Sequence, residues 1–399
     1  MRILLVSKEY PPETARGGIG TQAHVKAHGL TRMGHSVVVI SESPTGRRTE
    51  SRDGDVDVVR IPAIWNQVSL QTPAAEQLGY SVAVAAEIQS QSARGTFDVV
   101  EFAEWGAEGF FYLVNRSASN YIPTVIQIHG PLVLLADTIG WPDKSSEHYR
   151  SGRFFEGTCL SLADRVYSCS RRSTEWCREY YGVDPSRVPT LHTGVDTTRF
   201  RPDVAVKATQ PTIAFVGRVG PNKGVPVLVD ACLQVARTIP NLRLRLIGRG
   251  EDRFVKEMRR LCEAAGFPDL LELPGFVGRD DLPSILASAH VFVLPSTYEP
   301  GPGLVNLEAM ACGLPVIACE GSGSAEVVMH GHSGLLVPSG DSAALADALY
   351  ELISSPSRRD ALAVNARDFV TAEAAQDMCL QRIEALYVEV GRTRPVTVS

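Results

Sequence analysis

Residues 212–224 read Thr-Ile-Ala-Phe-Val-Gly-Arg-Val-Gly-Pro-Asn-Lys-Gly. An unbroken apolar run ends in a glycine, and a helical pattern resumes at Val225. A strand that is apolar on both faces is covered on both sides, as strands of parallel sheets are. Arg218 and Lys223 stand five apart in the loop, at the strand's carboxyl end and beside the start of a helix expected over 225–238. A guanidinium fork, a point charge and a positive helix end together suit an anion, phosphate above all.

The same rhythm of short apolar run, Gly-rich turn and helix extends in both directions. Strands are expected at 3–6, 37–40, 99–101 and 125–128 upstream, and at 242–247, 271–273, 291–294 and 315–318 downstream. Residues 185–211 are rich in Pro, Thr and Arg, and the rhythm restarts after them at 212. The fold class is therefore α/β, with two doubly wound domains of similar size. The expected divisions are 1–202, 203–371 and 372–399, with 203–210 as linker. The last division is an amphipathic helix over 372–390 that packs back across the hinge, followed by a tail, 391–399, that is the one segment expected to be disordered. Ligands of open parallel sheets bind at the carboxyl ends of strands, so two such sheets facing each other predict a cleft.

The composition supports a large soluble core: 44% of the 399 residues are hydrophobic and 21% charged, close to globular averages. A net charge of −6 argues against a nucleic-acid partner, which calls for basic excess. Residues 1–6 form a short strand rather than a signal peptide, and no apolar run reaches the ~18 residues that span a bilayer. Eight cysteines without a Cys-x-x-Cys pair indicate buried thiols in a reducing compartment, so the expected address is cytoplasmic.

Several turns carry candidate chemistry. Gly17-Gly18-Ile19-Gly20 opens a helix expected over 21–33, but ten residues separate it from the strand at 3–6. A dinucleotide fingerprint follows its strand directly, so the choice lies between backbone N–H groups for a phosphate and a plain loop. Leu246-Ile247-Gly248-Arg249-Gly250 has two fingerprint glycines and Arg253 where the third would stand; it suits close backbone approach by any ligand. His129 follows the strand at 125–128, where a side chain points towards a ligand. In Glu299-Pro300-Gly301-Pro302-Gly303-Leu304-Val305-Asn306-Leu307-Glu308, Glu308 falls in the first turns of a helix. It either accepts two hydroxyls, as a ribose offers, or merely complements the helix dipole. Asp53-Gly54-Asp55-Val56-Asp57 lacks the glycine and glutamate of a calcium loop and reads as a hairpin turn feeding a strand at 56–61. His192, His330 and His332 show no metal-ligand spacing. Glu101, Glu104 and Trp105 follow a strand and suit a polar, aminated or sugar-like acceptor, or else simply pack on their domain.

Taken in order, these pieces resemble the retaining glycosyltransferases of family GT4, which have the GT-B fold of two Rossmann-like lobes. The resemblance runs from Ile3-Leu4-Leu5-Val6 and Gly17-Gly18 through Gly34-His35-Ser36-Val37, Ile128-His129-Gly130 and Gly194-Val195-Asp196. It continues through Gly217-Arg218, Lys223-Gly224 and Pro274-Gly275-Phe276-Val277 to Leu307-Glu308-Ala309-Met310-Ala311-Cys312-Gly313. The resemblance implies a nucleotide-diphosphate-sugar donor, a UDP-sugar as first choice, and a sugar, glycan or natural-product acceptor. It implies that Arg218 and Lys223 hold the diphosphate, Glu308 the ribose, and Glu299 the hydroxyls of the transferred sugar. It further implies that Gly18, Gly217, Gly248, Gly301, Gly303, Leu304 and Val305 bring backbone to the donor, that Phe276 and Val277 meet the base, and that His129 lies beside the sugar. The family's two glutamates usually stand as Glu-x7-Glu; here they are one residue further apart. Neither metal nor cofactor is implied. An epimerase, or a non-catalytic nucleotide-sugar-binding module on the same fold, is the alternative. Arg150, Arg153, Arg165, Arg171 and Arg172 are interleaved with acids, which disfavours peripheral membrane contact.

Overall fold

The apolar runs become two sheets in the computed structural model, which describes residues 1–14, 17–62, 72–296 and 298–392. Most of the tail expected to be disordered lies outside the described residues. In the first sheet the strands are β1 (Arg2–Val6), β2 (Ser36–Glu42), β3 (Thr49–Asp53), β4 (Val56–Ile61), β5 (Val99–Ala103), β6 (Thr124–Ile128) and β7 (Arg165–Ser168). Their spatial order is β3-β4-β2-β1-β5-β6-β7. All pairs are parallel except the β3–β4 hairpin, whose turn is the one read from Asp53-Gly54-Asp55. The second sheet has β8 (Thr212–Val216), β9 (Arg243–Ile247), β10 (Leu271–Gly275), β11 (Val291–Leu294), β12 (Val316–Cys319) and β13 (Gly334–Val337). Its order is β10-β9-β8-β11-β12-β13, parallel throughout. In each sheet the strand order reverses beside the first strand: between β1 and β5, and between β8 and β11.

The chain divides into two compact units, Met1–Thr193 with Cys379–Ser399, and Gly194–Met378. The division thus falls at 193/194 rather than 202/203, because residues beyond 194 are built into the second unit. Val195 and Phe200 are members of its core, and the Arg367 guanidinium donates to the carbonyls of Thr197 (2.9 Å) and Phe200 (2.8 Å). The expected linker is docked as well: the Ala208 N–H donates to the Ser288 carbonyl at 2.9 Å. The terminal helix also differs from expectation. It runs over Gln376–Gly391, and residues 372–373 close the preceding helix, Pro356–Glu373. The break arises because backbone at Ala374 and Gln376 is bonded to Val195 instead of continuing a helix.

All eight cysteines are buried, as the scattered spacing implied. No helix among the described residues is long and apolar enough to cross a membrane.

Candidate active site

The switch point of the second sheet is built from the loops that follow β8 and β11. These loops approach so closely that a Cβ on Gly224, whose φ is +73°, would lie 2.1 Å from the Pro295 carbonyl oxygen. The loops after β8 and β9 meet in the same way: a Cβ on Gly248 would lie 1.9 Å from the Gly217 carbonyl oxygen. The Gly217 N–H donates to Ile247 (3.0 Å) and the Gly248 N–H to Gly275 (2.8 Å). The glycines of the sequence motifs therefore lace four strand ends together, those of β8, β9, β10 and β11.

Lys223 lies at the centre of this edge. Its Nζ donates to Glu299 Oε2 at 2.7 Å and sits 4.9 Å from the centre of the Tyr298 ring. Burial alone would lower the pKa of this ammonium, but the Glu299 carboxylate outweighs it and the net shift is upward. Arg218 is exposed and has no hydrogen-bond or salt-bridge partner among the described residues. The sequence-predicted cations are thus brought to one strand end, one of them clamped and the other open.

Glu308 sits in the helix Leu304–Ala311 with 3% of its surface exposed. Burial pushes its pKa up to about 7, with Arg279 and Arg199 opposing. Its Oε1 accepts one long hydrogen bond, 3.4 Å, from Arg279. A buried carboxylate this weakly satisfied does not behave as a surface residue tuning a helix dipole, whose effect fades beyond the first turn. Nearby, Ser296 Oγ and Asn306 Oδ1 are buried without a partner among the described residues. Gly301 is buried, whereas Gly303, Leu304 and Val305 are half-buried. Phe276 is 68% exposed, with the Arg249 guanidinium 5.2 Å over its ring; Val277 beside it is half-buried.

In the first unit, Gly18 begins the helix Gly18–Arg32, which has no side-chain cap and no acidic residue in its first turn. His129 follows β6 and is buried, its Nδ1 without a partner among the described residues. Burial, assisted by the Lys26 charge, holds its pKa well below the usual histidine value, so the ring is neutral. Glu104 positions this loop. Its two carboxylate oxygens accept the N–H groups of His129 (2.7 Å) and Gly130 (2.5 Å). Burial raises the Glu104 pKa to about 7 despite those bonds.

The acceptor expectation needs correction here. Glu101 is buried and accepts hydrogen bonds from Lys26, Tyr167 and Tyr387, so it belongs to the core of the first unit. Glu104 is committed to backbone. Of the three expected acceptor residues, Trp105 alone is partly accessible, stacked on Trp141 with ring centroids 6.1 Å apart. Arg279 and Tyr298 were not read from the sequence as site residues. Arg279 stands alone in a loop and gains meaning through its contact with Glu308; Tyr298 adjoins Glu299 but gains its role from Lys223, which is distant in sequence.

Comparison with known families matches this arrangement across both units. Residues 196–369 match the model of Glycosyl transferases group 1, and residues 16–199 match Glycosyltransferase Family 4. The chain belongs to the family 4, group 1 glycosyltransferases. This glycosyltransferase is 28% identical to the glycogen synthase of Mycobacterium tuberculosis over 392 residues, 94% of this chain and 91% of that one. It is 35% identical over 198 residues to the GDP-mannose-dependent alpha-(1-6)-phosphatidylinositol monomannoside mannosyltransferase of the same species, 46% of this chain and 51% of that one. Among solved structures, the sucrose-phosphate synthase of Thermosynechococcus elongatus superposes with a TM-score of 0.82 at 22% identity, covering 98% of each chain. Anabaena HepE in complex with UDP-glucose superposes with a TM-score of 0.74 at 21% identity, covering 98% of this chain and 100% of that one. These likenesses show the fold, two doubly wound domains of the GT-B type. As a member of its family the glycosyltransferase moves a sugar from a nucleotide-sugar donor.

Proposed function

We propose that the enzyme takes a UDP-sugar and transfers its sugar, with retention at the anomeric carbon, to a hydroxyl of a small-molecule or glycan acceptor. The observation that carries this reading is the strand edge where Lys223 pairs with Glu299 while Arg218 stands open beside it. A diphosphate divides that pair: Lys223 and Arg218 turn to the phosphates, and Glu299 is released to accept sugar hydroxyls. Glu308 takes the ribose diol, and backbone around Gly217, Gly301 and Gly303 faces the phosphates. Phe276 offers a flat apolar face to the base.

In the transfer step the bond between anomeric carbon and diphosphate oxygen breaks, and a bond to the acceptor oxygen forms on the same face. The acceptor proton passes to the departing diphosphate oxygen, so no protein nucleophile is required. The largest demand is stabilisation of the leaving diphosphate, which the two cations Lys223 and Arg218 meet. His129 contributes a neutral ring nitrogen that can exchange hydrogen bonds without adding charge. The reaction needs no metal and no cofactor and takes place in the cytoplasm, without a requirement for membrane.

The choice of UDP leans on the HepE complex with UDP-glucose. A GDP-sugar is the second reading, favoured by the GDP-mannose-dependent relative. Thermal-shift measurements with UDP-, GDP- and ADP-sugars separate the two, since a ligand at ~100 Kd adds ~2.7 kcal/mol of stability. Mass spectrometry of products and the anomeric coupling constant by NMR then test transfer and retention. A stabilising donor that yields the epimerised nucleotide sugar, or no product with any acceptor or water, would overturn the transferase reading.

A further inference from the structure

We propose that His24, His28 and Asp53 form a binding site for a divalent transition-metal ion, with Zn²⁺ the best fit. The inference rests on residues of the first unit that the sugar-transfer reading does not use. His24 and His28 stand four apart on the helix Gly18–Arg32, so their side chains share one face. The β3–β4 hairpin brings Asp53 up against that face. Asp53 Oδ2 lies 2.9 Å from His28 Nε2 and 3.3 Å from His24 Nε2. The two imidazole centroids are 4.2 Å apart, and the three ligand atoms all fall within 4.8 Å of one another.

Zn²⁺ binds imidazole nitrogen at ~2.0–2.1 Å and carboxylate oxygen at ~2.0–2.2 Å, which sets neighbouring donors in a tetrahedron about 3.4 Å apart. The donor separations of 2.9 and 3.3 Å are near that edge, so small side-chain adjustments admit the ion. Two imidazoles and one carboxylate suit zinc and its first-row neighbours, whereas calcium and magnesium favour all-oxygen sites. The donors are also supported from behind. The hydroxyl of the fully buried Tyr10 donates to Asp53 Oδ2 at 3.1 Å, the kind of outer contact that orients a metal-binding carboxylate. Side-chain exposures of 34%, 27% and 35% leave an entry path and room for a water as fourth ligand. The sequence contains half of this signal, the His-x3-His spacing; Asp53 joins through the hairpin and no linear spacing announces it. A bound ion would tie the helix that begins at Gly18 to the hairpin beneath it.

The test uses the full, untagged chain, stripped with EDTA and dialysed against Zn²⁺, with bound metal measured by mass spectrometry. About one Zn²⁺ per chain is expected, with affinity falling at least tenfold in H24A, H28A and D53N, since each removes one of the three ligands. Co²⁺ in place of Zn²⁺ should give visible absorption that disappears in the same variants. Circular dichroism and melting without metal establish that each variant is folded; the conservative H24Q or H28Q replaces a histidine variant that is not. Wild-type protein that retains no more Zn²⁺ than the folded variants would overturn the site, leaving the three residues as an ion-paired cluster.

Discussion

At Lys223 and Glu308 the same economy of partners has opposite consequences. Lys223 already has a carboxylate, so its removal leaves Glu299 without its cation as well as taking a charge from the diphosphate site. Lys223→Ala is expected to lower kcat by roughly 10²–10³ fold, the loss typical of a single group stabilising developing charge, and to lower Tm as well, because Glu299 stays largely buried without its cation. Steady-state kinetics with the preferred donor provide the check, and undiminished turnover would remove Lys223 from the diphosphate site. Glu308 lacks an adequate partner, and its pKa of about 7 lies above the ~4.3 of an unfolded glutamate. Between those values the folded state binds more protons, so the group's contribution to stability falls as pH rises through that window and stays low above it. Glu308→Gln keeps the shape without the charge. It is expected to be more stable than wild type at pH 8, by on the order of 1–2 kcal/mol, and to lose that advantage near pH 4.5. Binding of UDP should weaken about tenfold, as loss of a charge-assisted hydrogen bond implies. Melts at the two pH values and titration calorimetry test both halves; a variant less stable at pH 8 contradicts the assignment.

Elements put Glu101 where single residues could not. β5 is buried along its whole length, and Glu101 within it meets Lys26 from the helix Gly18–Arg32 and Tyr387 from the helix Gln376–Gly391. Gln127 of β6 and Tyr167 of β7 complete the cluster, with Lys26 Nζ 2.6 Å from Gln127 and Tyr167 hydroxyl 2.8 Å from Glu101. Lys26→Met would leave Glu101 buried and uncompensated, at an expected ~3–5 kcal/mol of stability. Tyr387→Phe removes a single hydrogen bond and should cost about 1–2 kcal/mol. Urea unfolding followed by circular dichroism ranks the two, and equal losses would show that the cluster is not charged as drawn. Most of the strands, the loops after β8 and β11 and the glycines that lace them were legible in the sequence, because apolar runs and loop chemistry are local signals. Glu101 was misread since a glutamate after Val99-Val100 looks alike whether it meets water or a buried lysine. What decides between the two is the meeting of four other elements, far apart in the chain. β7 escaped notice for a related reason: Arg165-Val166-Tyr167-Ser168 is short and mixed, and becomes a strand by pairing with β6.

Across the whole molecule, the polypeptide makes the first unit, then the second, and returns with Cys379–Ser399 to finish the first. The cores reflect that order. Leu380, Ile383, Leu386, Tyr387 and Val390 of the returning helix pack with Ile3, Leu5, Leu30 and Val39, whereas every member of the second unit's core lies between Val195 and Ala374. The first unit therefore cannot complete its core until the chain's end is made, but the second is contiguous in sequence. Apart from Gly18, every residue assigned to diphosphate, ribose and base also lies in that contiguous stretch. The fragment Gly194–Met378 is thus expected to fold alone, with a cooperative melt, and to bind UDP within about tenfold of the intact enzyme, while transferring no sugar. A fragment truncated after Met378 instead, residues 1–378, should lose several kcal/mol from the first unit through the apolar area it leaves uncovered. Calorimetric titration of UDP into the second-unit fragment is the deciding measurement. A folded fragment blind to UDP would place nucleotide recognition outside the loops after β8 and β11, and an unfolded one would show that its core does not stand without the first unit.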